Sequence, residues 1–227
     1  RQMGYLPEAM INYLARLGWS RGDTEIFSVE QLVEWFSLDD LNKGAARFDF
    51  VKLESVNGHY IREAQPQRLY DVMAATASEV GRTADAEGLE NNRETVLAAL
   101  PELQPRAKTV LELIDLAQFI YATRPITVDA SATAQLNPEA RGYIGEFAEI
   151  LLELSDWEVP AIDAAARVFA EQKGVKLGKI AQPLRAALTG RTVSPGIFEV
   201  MVLIGKEETL ARLADQVDAA AEQHVEA

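Results

Sequence analysis

The chain of 227 residues contains no cysteine. That excludes disulfide bridges and thiolate metal sites, and it fits a reducing cytoplasm. Histidine is nearly absent too: His59 and His224 lie far apart, no metal-ligand spacing such as HExxH appears, and both read as solvent histidines. No apolar run approaches the ~18 residues of a membrane-spanning helix. The opening RQMGYLPEA lacks the apolar core of a signal peptide, and its first residue, Arg1, reads as the start of a piece cut from a longer chain. Positive charge is scarce, with 22 Lys and Arg against 35 Asp and Glu and a net charge of −13, which argues against a general nucleic-acid coat. Paired acids such as Asp39-Asp40 and Glu207-Glu208 read as solvated charges at helix starts.

What is present is helical periodicity. Met10, Ile11, Leu14 and Leu17 recur at helical spacing and stop at Gly18. Ser28 before Glu30-Gln31 is an approximate capping signal for a helix expected to turn Leu32, Val33 and Phe36 inward. A helix over 49–56, with Phe48, Val51 and Leu53 in the core, is expected to end at Asn57-Gly58. Trp19, Phe27, Trp35 and Phe36 would fill this first bundle. Leu69, Val72, Met73 and Ala77 mark the next helix, 81–90 reads as a polar loop, and Val96, Leu97 and Leu100 mark another helix. Pro101 and Pro105 flank a tight connection into a long helix expected over 106–121. Arg106 would then stand at a helix N-terminus, where the dipole disfavours a cation, and a residue placed against local preference hints at function. After a loop over 129–137, residues 140–154 form an amphipathic helix followed by Trp157, which reads either as a staple between helices or as a platform for a base.

The stretch 172–198 stands apart. It carries Lys173, Lys176, Lys179, Arg185 and Arg191 and not one Asp or Glu, so a cationic island sits on an acidic chain, an electrostatic address for a polyanion. Gly174 would end the helix whose apolar pattern is Ile162, Ala165, Ala166 and Phe169. Pro183 fits the first turn of a short helix that Gly190 would close, and Ser194-Pro195 reads as N-cap and N1 of another with Ile197, Val200, Met201 and Ile204 buried. That places a helix N-terminus with unpaired N–H groups beside Arg185 and Arg191, suited to a phosphate or a nucleobase edge. Lys206 to Ala221 closes the chain as an alanine-rich helix.

GVKLGKIAQPLRAALTGRTVSPGIFEVMVLIGKE resembles the C-terminal signature of bacterial glutamyl-tRNA synthetases, class I enzymes. GYLPEAMINYLARLGWS and RFDFVKLESVNGHYIRE are similar to segments of the same family in the same order, so the resemblance covers essentially the whole chain. It implies an all-α protein, an elongated row of small helical bundles: a stem-contact domain over 1–66 and two anticodon-binding subdomains over 67–128 and 129–227. It implies that Arg106, in LQPRAKTVLEL, reads the third anticodon letter, a guanidinium suiting the O2 and N3 acceptors of cytosine. Arg185, Ser194, Pro195 and Ile197 would touch the first two letters, Ser194 standing where some relatives carry threonine. Lys173, Lys176, Lys179, Arg191, Asn57, Tyr60 and Arg62 are the candidates for backbone or stem contacts.

The implied partners are tRNA(Glu), with tRNA(Gln) as a second candidate, and neither DNA nor membrane; the implied state is a cytoplasmic monomer. The His-rich nucleotide-binding motif and the lysine-bearing loop of the class are missing from this sequence. ATP and Mg would serve the rest of the parent enzyme, no cofactor is expected in this chain, and it should not charge tRNA alone. The alternative reading is an all-helical scaffold or adaptor that holds partner helices.

Overall fold

The computed structural model describes residues 1–41 and 47–225, and among them the backbone is helical, joined by turns and two isolated bridges, Trp19 to Leu41 and Arg21 to Thr24. The chain divides into two compact units, Arg1–Ala117 and Gln118–Ala227. The expected boundary at 66 falls inside the first unit and that at 128 inside the second.

Helices α1 (Pro7–Gly18), α2 (Val29–Trp35), α3 (Phe50–Glu63), α4 (Pro66–Glu79), α5 (Thr83–Asn91), α6 (Arg93–Leu103) and α7 (Val110–Ala117) make the first unit. Pro7 sits in the first turn of α1, where its missing N–H costs nothing. The buried side chain of Asn12 on α1 ties this helix to the segment before α2 and to α3. It donates to the Glu25 carbonyl (3.0 Å) and accepts from the Phe27 amide (3.3 Å) and the Tyr60 hydroxyl (2.9 Å). Trp19 packs edge-on to Phe27 at 5.5 Å, and both are buried. The capping box expected at Ser28 is present, with Ser28 and Gln31 bonding reciprocally. The helix it starts nevertheless buries no residue; Val33 is 76% exposed and Phe36 46% exposed, against expectation.

Helix α3 does not stop at Asn57-Gly58. Asn57 is fully buried inside the helix, accepting from the Leu6 amide (2.8 Å) and donating to the Lys108 carbonyl (2.6 Å). Gly58 beside it lets the Ala107–Lys108 backbone lie close, within 3.6 Å of where a Cβ would be. The pair that resembles a stop signal is therefore a tertiary joint, and the helix continues to Glu63. The inward face is Leu53, Val56, Asn57 and Ile61, which leaves Phe48 and Val51 exposed instead of in the core. Gln104 then donates to the carbonyls of Ile61 (2.7 Å) and Ala64 (2.9 Å), satisfying the open end of α3 with a side chain from beyond α6. These bonds tie residues on both sides of position 66 into one unit.

Residues 83–91 form helix α5, not a loop. Its sequence shows no apolar period because it buries little beyond Leu89 and Asp85. Arg82 pairs with Asp85 (2.6 Å) and Asp115 (2.7 Å), and the Tyr70 hydroxyl donates to the Leu89 carbonyl, so tertiary bonds supply what the sequence pattern lacks.

The second unit contains α8 (Ala130–Thr133), α9 (Pro138–Glu153), α10 (Val159–Gln172), α11 (Gly178–Thr189), α12 (Ile197–Ile204) and α13 (Lys206–Val225). Helix α8 interrupts the loop expected over 129–137, its start capped by Asp129, which accepts from the Ala132 amide. The buried core is made by Ile144, Phe147 and Leu151 of α9, which packs on α10, α11 and α13, with Phe169 of α10, Leu184 of α11, Met201 of α12 and Leu213 of α13 also buried. Trp157 is half-buried, its indole N–H donating to the Met201 carbonyl at 3.0 Å, which is the staple reading. Lys206 crosses from α13 to the carbonyls of Leu152 and Leu154 at the C-terminal end of α9, where a cation is favoured.

Candidate nucleic-acid interface

In the second unit, α10 ends at a glycine C-cap: Gly174 adopts φ +65° and the Val175 amide bonds back to Ala170, as expected. Helix α11 then begins at Gly178, earlier than the sequence reading, so Pro183 lies inside it and not in its first turn. Pro183 is buried, and having no N–H it leaves the Lys179 carbonyl without its usual donor four residues on. Gly190 closes α11 at φ +70°, and a Cβ there would sit 2.1 Å from the Thr127 carbonyl oxygen. The Gly190 carbonyl in turn accepts from the Asp129 amide at 2.9 Å, so the turn after α11 is fastened to the segment before α8. Asp129 is held below the usual aspartate range by the hydroxyl of Ser131 and the amide of Ala132.

The turn leads to the residues expected to read bases. Arg185 on α11 is half-buried and donates from Nε to the Ser194 hydroxyl at 2.9 Å; the hydroxyl in turn donates to the Pro195 carbonyl at 2.8 Å. Arg191 is half-buried and bonds the Gln118 carboxamide at 2.7 Å. Ser194, Pro195 and Ile197 are buried. The structure thus brings Arg185 and Ser194 together, but Ser194 is not an N-cap. Helix α12 starts at Ile197 with Gly196 as its N-cap, and the Glu199 carboxylate lies against Gly196, its oxygen 2.0 Å from where a Cβ would be. The expected bare, cationic helix start is covered by its own acid. Gly196, at φ −51° and ψ 137°, is outside the helical region, so the helix start lies two residues beyond the expected one.

The lysines separate into two kinds. Lys173 is exposed but committed, paired with Glu146 and lying 5.6 Å from the Phe169 ring. Lys176 and Lys179 are exposed and make no ion pair or side-chain hydrogen bond among the described residues.

In the first unit, Arg106 does not begin a helix. It ends a 3-10 turn, Gln104–Arg106, that continues α6, and its guanidinium bonds back to the Glu102 carbonyl. There the dipole favours a cation, so the premise that Arg106 defies local preference fails: Thr109 precedes the real start of α7 at Val110, and α7 ends at Ala117, short of Tyr121. Arg106 is nonetheless exposed. Arg62 is exposed too, its guanidinium over Gly58, and its carbonyl is among those Gln104 caps, so Arg62 and the turn carrying Arg106 share one patch of backbone. Asn57 and Tyr60 do not join them. Asn57 is fully buried, and the Tyr60 hydroxyl is bonded to Asn12 and the Phe27 carbonyl while its side chain stays half-buried, so both hold the fold.

One residue in this region escaped the sequence reading. Arg212 on α13 is 1% exposed and donates to the carbonyls of Phe119 (2.8 Å) and Leu188 (2.7 Å) and to Glu208 (2.6 Å). It anchors the last turn of α11, from which the Arg191–Ser194 segment departs. In LARLADQ it looks like any solvent-facing arginine of an amphipathic helix, and no local signal marks it.

Among the described residues the protein is helical, and two uncommitted lysines, Lys176 and Lys179, stand at the start of α11 in a chain of net charge −13. The chain belongs to the anticodon binding domain family, whose profile matches residues 61–217. It is similar to Glutamate–tRNA ligase 2 of Brucella ovis and Glutamate–tRNA ligase 1 of Brucella melitensis, each 52% identical over 219 residues, 96% of this chain and 46% of the relative. Among solved structures it is similar to a glutamate tRNA ligase from Elizabethkingia meningosepticum in complex with its amino acid, with a TM-score of 0.78 and 29% identity over 95% of this chain and 41% of that one. The glutamate-tRNA synthetase from Elizabethkingia anophelis gives a TM-score of 0.74 and 28% identity, again over 95% of this chain and 41% of that one. The chain therefore spans about half the length of the curated relatives it matches.

Proposed function

We propose that this chain reads the anticodon of tRNA(Glu) as part of a glutamate–tRNA ligase, acting as a cytoplasmic monomer, with tRNA(Gln) as the second candidate. The carrying observation is that the family match over 61–217 encloses both the exposed Arg106 and the cationic segment around α11, whose lysines 176 and 179 are uncommitted. ATP and Mg belong, in this reading, to the remainder of the parent enzyme; the chain's own residues bind and orient RNA and move no proton.

Each unit contributes by its own chemistry. Arg106, tethered through Glu102 yet exposed, offers its remaining guanidinium N–H groups to the acceptor edge of a cytosine. In the second unit the Arg185–Ser194–Pro195 chain of hydrogen bonds fixes the guanidinium before RNA arrives, which lowers the ordering cost of binding. The buried Pro195 and Ile197 form the floor that sets the segment, and Ser194 acts by orienting Arg185.

The test is letter specificity. Arg106→Gln should cut the preference for cytosine over guanine at the third anticodon letter by roughly tenfold or more, because guanine presents a donor where the guanidinium also donates. The measurement is binding of two anticodon stem-loops that differ in that letter alone. Unchanged discrimination contradicts the assignment of Arg106.

A further inference from the structure

Between the start of α9 and the first half of α11 lies a concave site of about 180 Å³, lined by Gln135, Asn137, Glu139, Tyr143, Lys179 and Gln182 among others. By the volume of liquid water that is room for about six waters, the scale of one heteroaromatic ring system. Its polar groups fall into two sets. Tyr143 donates its hydroxyl to Glu139 at 3.0 Å, which fixes the ring and pushes the phenol above its usual range, and Asn137 spends its carbonyl oxygen on the Ala140 amide. The Lys179 ammonium and the Gln135 and Gln182 carboxamides make no side-chain bond among the described residues. A site with an aromatic face held in place, two uncommitted carboxamides and one uncommitted cation matches the parts of a nucleotide. The ring stacks on a base, each carboxamide presents a donor beside an acceptor as a base edge requires, and the ammonium takes a phosphate.

Position along α11 says which source of nucleotide fits. Lys179, Gln182 and Arg185 follow one another at i, i+3 and i+6, a single row on the helix surface about 9 Å long at 1.5 Å per residue. A strand whose base lies at Arg185 continues along this row, with exposed Lys176 beyond it. A free mononucleotide would have Lys179 alone for its phosphate on a chain of net charge −13.

We infer that this hollow is a second nucleotide subsite for the same single-stranded RNA, taking a loop nucleotide outside the three anticodon letters. The inference rests on the anticodon reading above.

The experiment uses the whole chain and an RNA hairpin carrying the glutamate anticodon, with each other loop position replaced in turn by an abasic residue. Gln182→Ala should weaken the intact hairpin roughly fivefold, the scale of one good hydrogen bond. One abasic position should weaken the wild-type chain by a similar factor and do nothing further to the Gln182→Ala chain, since the two changes remove one interaction. Lys179→Ala should weaken every hairpin alike and flatten the salt dependence. Both side chains are exposed, so the melting curves should not move. If Arg185→Ala weakens the hairpin while Gln182→Ala and Lys179→Ala leave it unchanged, the subsite is wrong and the anticodon reading stands. If adenosine monophosphate binds and Gln182→Ala abolishes it without touching the hairpin, the strand source is overturned. A wild-type chain that binds no hairpin removes both.

Discussion

Arg212→Met separates two opposite expectations for a buried arginine. Replacing buried ion pairs by apolar side chains of similar volume is often neutral or stabilising, because two desolvated charges are removed together. Here the main partners are not a charge but the Phe119 and Leu188 carbonyls, 2.8 and 2.7 Å from Nη1, and methionine leaves both acceptors buried without a donor. Each unsatisfied acceptor costs about 1–3 kcal/mol. Glu208, 34% exposed, loses its partner but regains water, a term near zero to 1 kcal/mol. Relief of the arginine's own desolvation offsets part, so the net loss is about 2–5 kcal/mol. Urea unfolding followed by circular dichroism reads it as a lower midpoint for the second unit, with Arg212→Lys, which can reach a single carbonyl, falling between. A Met variant as stable as wild type within ~0.5 kcal/mol refutes the reasoning, because it would mean the carbonyls find other donors at no cost.

Gly190→Ala forces a side chain into the left-handed region and against the Thr127 carbonyl, so it should cost about 2–4 kcal/mol and also weaken RNA binding, because the turn that sets Arg191 and Ser194 must shift; thermal melting and hairpin titration measure the two effects. Glu8 has burial pushing its carboxyl up, outweighed by the hydrogen bond and charge of Arg68, 2.6 Å away, which hold it below its usual 4.5. A depressed folded pKa contributes stability above the ordinary carboxylate value that is lost as pH falls through the folded value. Arg68→Ala should therefore lower stability at neutral pH and shrink the acid-induced loss, checked by urea midpoints at pH 7 and across the acid range.

Elements specified by near neighbours in sequence were legible. Ser28 and Gln31, Gly174 and Gly190 act within one helical turn, so their roles follow from residue type and spacing alone. The amphipathic stripes of α9, α10 and α12 were equally plain. What escaped depends on partners far along the chain. Asn57-Gly58 has the composition of a helix stop, yet Leu6 and Lys108 recruit it into the helix interior, and α5 is held by Arg82 and Tyr70 more than by any stripe of its own. The extra core residues read into Phe48 and Val51 came from that premature stop, since a helix that ends early offers a different inward face.

At the candidate interface the same division holds. The cationic segment and the pairing of Arg185 with the Ser194–Pro195 segment could be read from composition and from the family resemblance. The place of each helix start could not, because Glu199 closes over Gly196 only once α12 has formed, and Pro183 sits inside a helix whose first turn precedes it. The adaptor reading gains no support from the comparisons.

The central claim is that a small set of cations grips single-stranded RNA on an otherwise acidic protein. Its most direct test is the affinity of the chain for the glutamate anticodon stem-loop as salt rises. With Lys176, Lys179 and Arg191 on phosphates, the logarithmic slope should be about −2, at ~0.7 for each single-strand contact. A stem-loop with a scrambled loop should bind more weakly at every salt concentration. Affinity that is flat across the same range, or equal for both loops, contradicts it.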